Sequence, residues 1–245
     1  MRITTLLPAA SVLVFLALPF PVDAAEPTYD KSFLSDYSKL QSRESEKGTE
    51  LVYVAPGAGK LLARYSAVMV DQPEVIISPD SDYKGAKPDD LAAVANMMRD
   101  TMTERLVAGG LKVAEAPGQD VLYVRLALTD LQLKRKKRGI LGYTPVGAVL
   151  KAGRDATLGM MKKYDITNMT IQAELTDSST DEVLAGIVAI RGGGENQGRL
   201  DFEQVDASMT EFVSRLRCRI DNAKAPADKQ VDCLAPPATT APAKH

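Results

Sequence analysis

The chain has 245 residues, with 30 Lys or Arg against 32 Asp or Glu, a net charge of −2, two Cys and one His. That His is His245, the last residue, so catalysis by an internal imidazole and a His-built metal site are both excluded. Nothing in the composition calls for a cofactor.

The first residues, MRITTLLPAASVLVFLALPFPVDAAEP, read as a secretory signal: Arg2 is the positive n-region, Leu6 to Phe20 the apolar core, and Val22-Asp23-Ala24 the cleavage site. The apolar run is shorter than the ~20 residues of a spanning helix and contains Pro8 and Pro19. An exported protein, periplasmic or secreted or peripheral to the outer membrane, is expected. Residues 25–50 are polar and read as an irregular lead-in.

Gly57 to Lys60, GAGK, is similar to a phosphate loop, but Val54 stands where its first Gly belongs and Leu61 where a Ser or Thr belongs. It is read as a loop. Arg64 to Ile77 has strand composition broken by Pro73, so a strand ending near Asp71 and an extended continuation are predicted. Pro88 to Ala108 is the first helix: Leu91, Val94, Ala95, Met98, Met102 and Leu106 share a stripe, and Gly109-Gly110 ends it. A strand is expected at Leu111 to Ala116.

Val121 to Leu133 alternates, with Leu122, Val124, Leu126 and Leu128 on one side and Arg125 and Thr129 on the other. Tyr164 to Asp177 repeats this, placing Met169, Ile171, Ala173 and Leu175 inward and Asn168, Thr170, Gln172 and Glu174 outward. Asp177 to Glu182 is a polar turn and Val183 to Ile190 its hairpin return. Gly192 to Gly198 reads as a flexible connection. The closing helix runs from about Leu200 to Ile220, on a stripe of Phe202, Val205, Met209, Phe212, Val213, Leu216 and Ile220.

The order β-α-β-β-insert-β-β-α, with polar outer faces on the strands, predicts an α+β fold. Its form is a two-layer sandwich, a mainly antiparallel sheet with two helices on one face and solvent on the other. Residues 51–222 form a single domain, about 180 residues being enough for a sizeable core. Cys218 and Cys233 enclose 14 residues and suit a disulfide in an oxidising compartment. Residues 223–245 are rich in Pro and Ala and are expected to be a disordered tail.

The insert at 134–163 carries nine Lys or Arg and one acid, Asp155, a net +8 that leaves −10 for the remainder of the chain. Lys134, Arg135, Lys136, Lys137 and Arg138 are consecutive, followed by apolar residues around Tyr143 and by Lys151 and Arg154. The plain reading is a solvated loop that blocks edge pairing or packs an oligomer. Two others are a surface for an envelope protein partner or for self-association, and a surface for anionic lipid or glycan. Export and the acidic remainder argue against nucleic acid.

Three segments, YVAPGAGKLLARYSAV, DVLYVRLALTDLQL and AELTDSSTDEVLAG, in that order, resemble the bacterial envelope proteins grouped as domain-of-unknown-function family 3313. The resemblance covers roughly Phe33 to Ile220. It implies an α+β fold and an envelope address, since members are often outer-membrane lipoproteins, and it supplies no catalytic residue. This chain lacks the lipid-carrying Cys after its apolar core, and its turn reads Ser179-Thr180-Asp181-Glu182 where the family tends to have a Gly before the Glu.

With no nucleophile set beside a recognisable base, a non-catalytic binding or scaffolding role is the first expectation. A membrane-surface or oligomer-forming role through the insert is the second. A small acid-dependent hydrolase is the third, and it predicts a pocket lined by two carboxylates with raised pKa values.

Overall fold

A computed structural model describes residues 28–45, 48–135, 164–192, 200 and 202–233. The apolar N-terminal stretch expected to be a leader, most of the basic insert and the last twelve residues, 234–245, lie outside these. In chain order the elements are β1 (Gln41–Ser45), β2 (Gly48–Val54), the one-turn helix α1 (Ala58–Leu61), β3 (Ala67–Val70), β4 (Glu74–Ile77), α2 (Pro88–Ala108), β5 (Lys112–Val113), β6 (Val121–Arg135), β7 (Tyr164–Asp177), β8 (Val183–Gly192) and α3 (Phe202–Lys224). Short 3-10 turns follow α1 at Leu62–Arg64 and α3 at Ala227–Lys229.

The strands form one eight-stranded sheet in the order β1-β2-β8-β7-β6-β3-β5, with β4 also on β6. The four pairs from β1 to β6 are antiparallel, while β3 and β4 run parallel to β6 and β5 parallel to β3. The fold is α+β, as the element order predicts. Pro73 lies in the break between β3 and β4, where its missing N–H costs no ladder bond.

Both long helices lie on one face. Val94, Met98, Met102 and Leu106 of α2 join Val205, Met209 and Val213 of α3 in a core with Leu122, Leu126, Leu128, Ile166 and Met169 of the long strands. Each such side chain, once buried, contributes roughly 1.5–3 kcal/mol.

The β6 alternation changes phase once. Leu122, Val124, Leu126 and Leu128 are buried on the helix face, and so are Leu131 and Leu133, an odd step of three from Leu128. A bulge absorbs the extra residue: the pairing with β7 slips between Thr129 and Gln132, and Asp130 takes φ +50°.

Part of the other face of the sheet is covered, which corrects the expectation that this face meets solvent. The lead-in crosses it, packing Tyr29, Phe33 and Leu34 against Leu51, Ala127 and Val188 in a second apolar cluster. Thr170, Gln172 and Glu174, read as outward and wet, are fully or almost fully buried beneath this strap. The strap brings hydrogen-bond partners to Gln172 and Glu174, while the buried Thr170 hydroxyl has none among the described residues. The lead-in also ends in ordered structure: β1 and the start of β2 form a hairpin within residues 25–50, at the edge of the sheet. Gly48, which opens β2 opposite Ser45, takes φ +131°, and a Cβ there would lie 2.4 Å from the Ile190 carbonyl.

At the other end, α3 outlasts its predicted stop at Ile220. The Cys218–Cys233 disulfide is present, with Cα atoms 5.6 Å apart. Asn222 donates to the Val231 carbonyl at 2.7 Å and accepts the Val231 N–H at 3.0 Å. Residues 223–233, expected to belong to a disordered tail, instead finish α3 at Lys224 and then fold back on it as far as Cys233.

Candidate functional site

A groove of about 610 Å³ runs between α3 and the β7-β8-β2 part of the sheet. Period-2 alternation sends Val52 and Val54 of β2, Ile171, Ala173 and Leu175 of β7, and Ala185, Ile187 and Ala189 of β8 to its floor. Three of these eight are Ala, and their small side chains leave space that larger residues fill elsewhere under the helices. The wall is the α3 face that carries Ser208, Phe212 and Leu216. Gly57 to Lys60, the GAGK segment, closes the end near Val54. The sequence reading of a loop holds only for Gly57, at φ +81°; Ala58 to Lys60 lie in α1.

The opposite end is charged. Arg43 lies across the β1-β2 ladder from Glu50, and Arg191 lies two residues beyond Ala189, the β8 partner of Glu50. Glu50, almost fully buried, accepts from Arg43 at 2.5 Å and from Arg191 at 2.7 Å, and Arg215 approaches it at 3.9 Å. Helical spacing of four stacks Glu211, Arg215 and Arg219 along α3, and Arg215 pairs with Glu211 at 2.5 Å. Four guanidiniums thus meet two carboxylates.

Burial works to raise the pKa of Glu50, but the bonds from Arg43 and Arg191 outweigh it and hold the carboxyl below its ordinary value. Arg219 is pushed the other way, down, by burial first and then by the positive charges of Arg43 and Arg215. Among the described residues it makes no hydrogen bond and no ion pair. The Nε of Arg191, also buried, has no hydrogen-bond partner there either.

A second polar cluster is structural. Asp177, at the end of β7, accepts from Tyr65 Oη at 2.8 Å, from the Ser179 N–H and hydroxyl at 2.9 and 2.6 Å, and from Arg64. Burial and then Asp177 push the Tyr65 phenol up to about 12. Lys224 of α3 donates to the Tyr65 carbonyl at 3.0 Å, so this cluster ties the sheet end to the last helix. No group of three or more His, Cys, Asp or Glu is placed to hold a metal among the described residues.

Of the sequence-predicted binding residues, Lys134 is exposed near the end of β6 and Arg135 is that strand's last residue. Lys136, Lys137, Arg138, Tyr143, Lys151 and Arg154 lie outside the described residues. The groove was not foreseen. Its signal in the sequence is the Glu211-Arg215-Arg219 spacing, which reads equally as a solvated stripe, and its partners Arg43 and Glu50 sit in a segment read as irregular.

The fold and site together define an α+β domain with an apolar groove capped by an arginine cluster. The chain belongs to the family described as Protein of unknown function (DUF3313), whose model matches residues 29–216. No curated protein matches it. Among solved structures it is similar to the PelC dodecamer from Paraburkholderia phytofirmans at 18% identity and a TM-score of 0.36, covering 68% of this chain and 97% of that one. A variant of the same dodecamer gives 14% identity and a TM-score of 0.33, covering 70% and 95%. TM-scores of this size do not establish a shared fold. Among the described residues no helix is long and apolar enough to cross a membrane, which says nothing of strands.

Proposed function

We propose that this chain is an exported cell-envelope protein, cleaved near Ala24 and periplasmic or secreted, that works by binding and not by turnover. Its binding site on this reading is the groove beneath α3. The observation that carries it is the condition of the groove's two carboxylates. A hydrolase built on acids needs a carboxyl kept protonated near neutral pH. Against the pull of burial, Glu50 is instead held ionised by Arg43 and Arg191, and Glu211 is paired with Arg215. An apolar floor with a few fixed polar groups is the usual make-up of a ligand site. A photo-crosslinking side chain in place of Phe212, in cells, is expected to capture a ligand or partner in the envelope fraction. Hydrolytic turnover abolished by Glu50→Gln or Glu211→Gln overturns the reading.

The basic insert supports a second role, as a surface for an envelope partner, for self-association or for anionic lipid. Its support is the net +8 across residues 134–163 in an acidic chain and the exposure of Lys134 where the insert begins. Peripheral attachment to the outer membrane is part of this second reading.

A further inference from the structure

The groove is amphipathic along its length. One end is floored by Ala185, Val54 and Leu175, the other by Glu50 among its arginines. From Glu50 to Val54 the floor runs about 13 Å, four strand steps of ~3.3 Å each. Its volume lies in the range of about 300–1,000 Å³ typical of small-molecule sites. Among the described residues, two carboxylates do not balance the four guanidiniums, and Arg219 makes no ion pair there although Arg43 and Arg215 crowd it. An added anion relieves that crowding, and an alkyl chain is the part that suits the floor.

Resting on the binding reading above, we propose that the groove takes a single-chain anionic lipid, its oxyanion head at Arg219 and Arg215 and its alkyl chain along the alanine-lined floor. A neutral lipid leaves the arginines unbalanced, and a free anion leaves the apolar floor empty. Both parts of the ligand are therefore needed. Arginine suits such a head because its planar fork matches a carboxylate or phosphate in two bonds.

The test is calorimetric titration of the chain, disulfide intact, with octanoate, decanoate and laurate below their micellar concentrations. Uncharged monolaurin and inorganic phosphate serve as probes of each half of the ligand. Affinity is expected to rise about fourfold per methylene from octanoate to laurate, with monolaurin weaker and phosphate alone weaker still. Arg219→Gln is expected to weaken laurate about tenfold and leave monolaurin unchanged. Ala185→Phe, which fills the floor, weakens both, and Ala189→Phe replaces it where thermal melting shows that the first variant has not folded. Arg217→Gln, on α3 but away from the groove, changes neither.

The proposal is overturned when laurate does not bind the native chain, or when Arg217→Gln costs as much as Arg219→Gln. Failure of laurate together with capture of another molecule from position 212 removes the lipid and leaves the binding reading standing. Turnover lost in Glu50→Gln removes both.

Discussion

Ser35 closes both oxygens of Glu174, a residue 139 positions later, donating its N–H at 2.8 Å and its hydroxyl at 2.9 Å. Arg125 of β6 completes the site, 3.0 Å from the same carboxylate and 4.7 Å from the Phe33 ring centroid. Two residues along, Gln172 accepts from Tyr37 Oη at 2.8 Å and donates to the Asp30 carbonyl and Thr129 Oγ1, each at 2.9 Å. The strap is thus held by a polar network inside an apolar cluster, where an unpaired group is costly.

Glu174→Ala is therefore expected to cost about 3 kcal/mol, because it leaves Arg125 and two Ser35 donors without their acceptor. Ser35→Ala keeps the backbone bond and is expected to cost about 1 kcal/mol. Urea denaturation of the two variants beside the native chain measures both. Equal stabilities of all three would show that the strap contributes nothing to the folded state.

Asp177 makes the acid limb of stability. Burial works to raise its pKa, but the bonds from Ser179, Tyr65 and Arg64 prevail and carry it well below the ordinary 3.8. A carboxyl with a lower pKa folded than unfolded binds fewer protons when folded. Its contribution is complete above about pH 4 and is lost as pH falls toward the folded value. Asp177→Asn is expected to lower stability by about 2 kcal/mol at neutral pH and to flatten the decline below pH 4. Melting temperatures of the two proteins from pH 7 to pH 2 check the sign.

The disulfide closes a loop of sequence separation 15 at the end of α3. Replacing Cys218 and Cys233 together by Ser is expected to remove roughly 3 kcal/mol, the loop-entropy value for that length. Residues 225–233 should then become the first site of proteolytic cleavage. Limited proteolysis followed by mass analysis locates it.

The basic insert makes a separate prediction. Neutralising Lys134, Arg135, Lys136, Lys137 and Arg138 is expected to reduce association in at least one of sedimentation, liposome binding and partner capture, while leaving the melting temperature unchanged. Exposed charges are screened beyond ~8 Å at physiological ionic strength, so the native protein should show the same loss at high salt. Unchanged behaviour in all three assays returns the insert to a solvated loop.

The long elements were legible because their residues bury one face each. The α2 stripe from Val94 to Leu106 and the β7 alternation from Met169 to Leu175 needed no tertiary knowledge. Even the bulge is written in the sequence, as the odd step from Leu128 to Leu131. The strap was hidden for the opposite reason. Tyr29, Phe33, Leu34 and Tyr37 are scattered among Asp, Lys and Ser with no helical or strand period. Thr170, Gln172 and Glu174 have the pattern of a wet face, and only contacts from more than a hundred residues away make it a buried one. The groove was hidden similarly, since an i, i+4 run of charge on a helix is normally solvated and Glu50 is brought to it by sheet pairing alone.

The strap has a consequence for the order in which the fold is completed. Residues 28–40 are the first of the described chain to be synthesised, yet their partners Gln172 and Glu174 are among the last strand residues to arrive. Contacts at separations of 100, 139 and 142 residues place this closure among the slowest kinds of folding event. Until β6 and β7 have paired, Phe33 and Leu34 have no surface to cover and remain available to other chains or to chaperones. The N-terminal segment acts as a latch that waits for the sheet, and a truncation before β7, which removes Gln172 and Glu174, should leave it open, readable as rapid hydrogen exchange across residues 28–40.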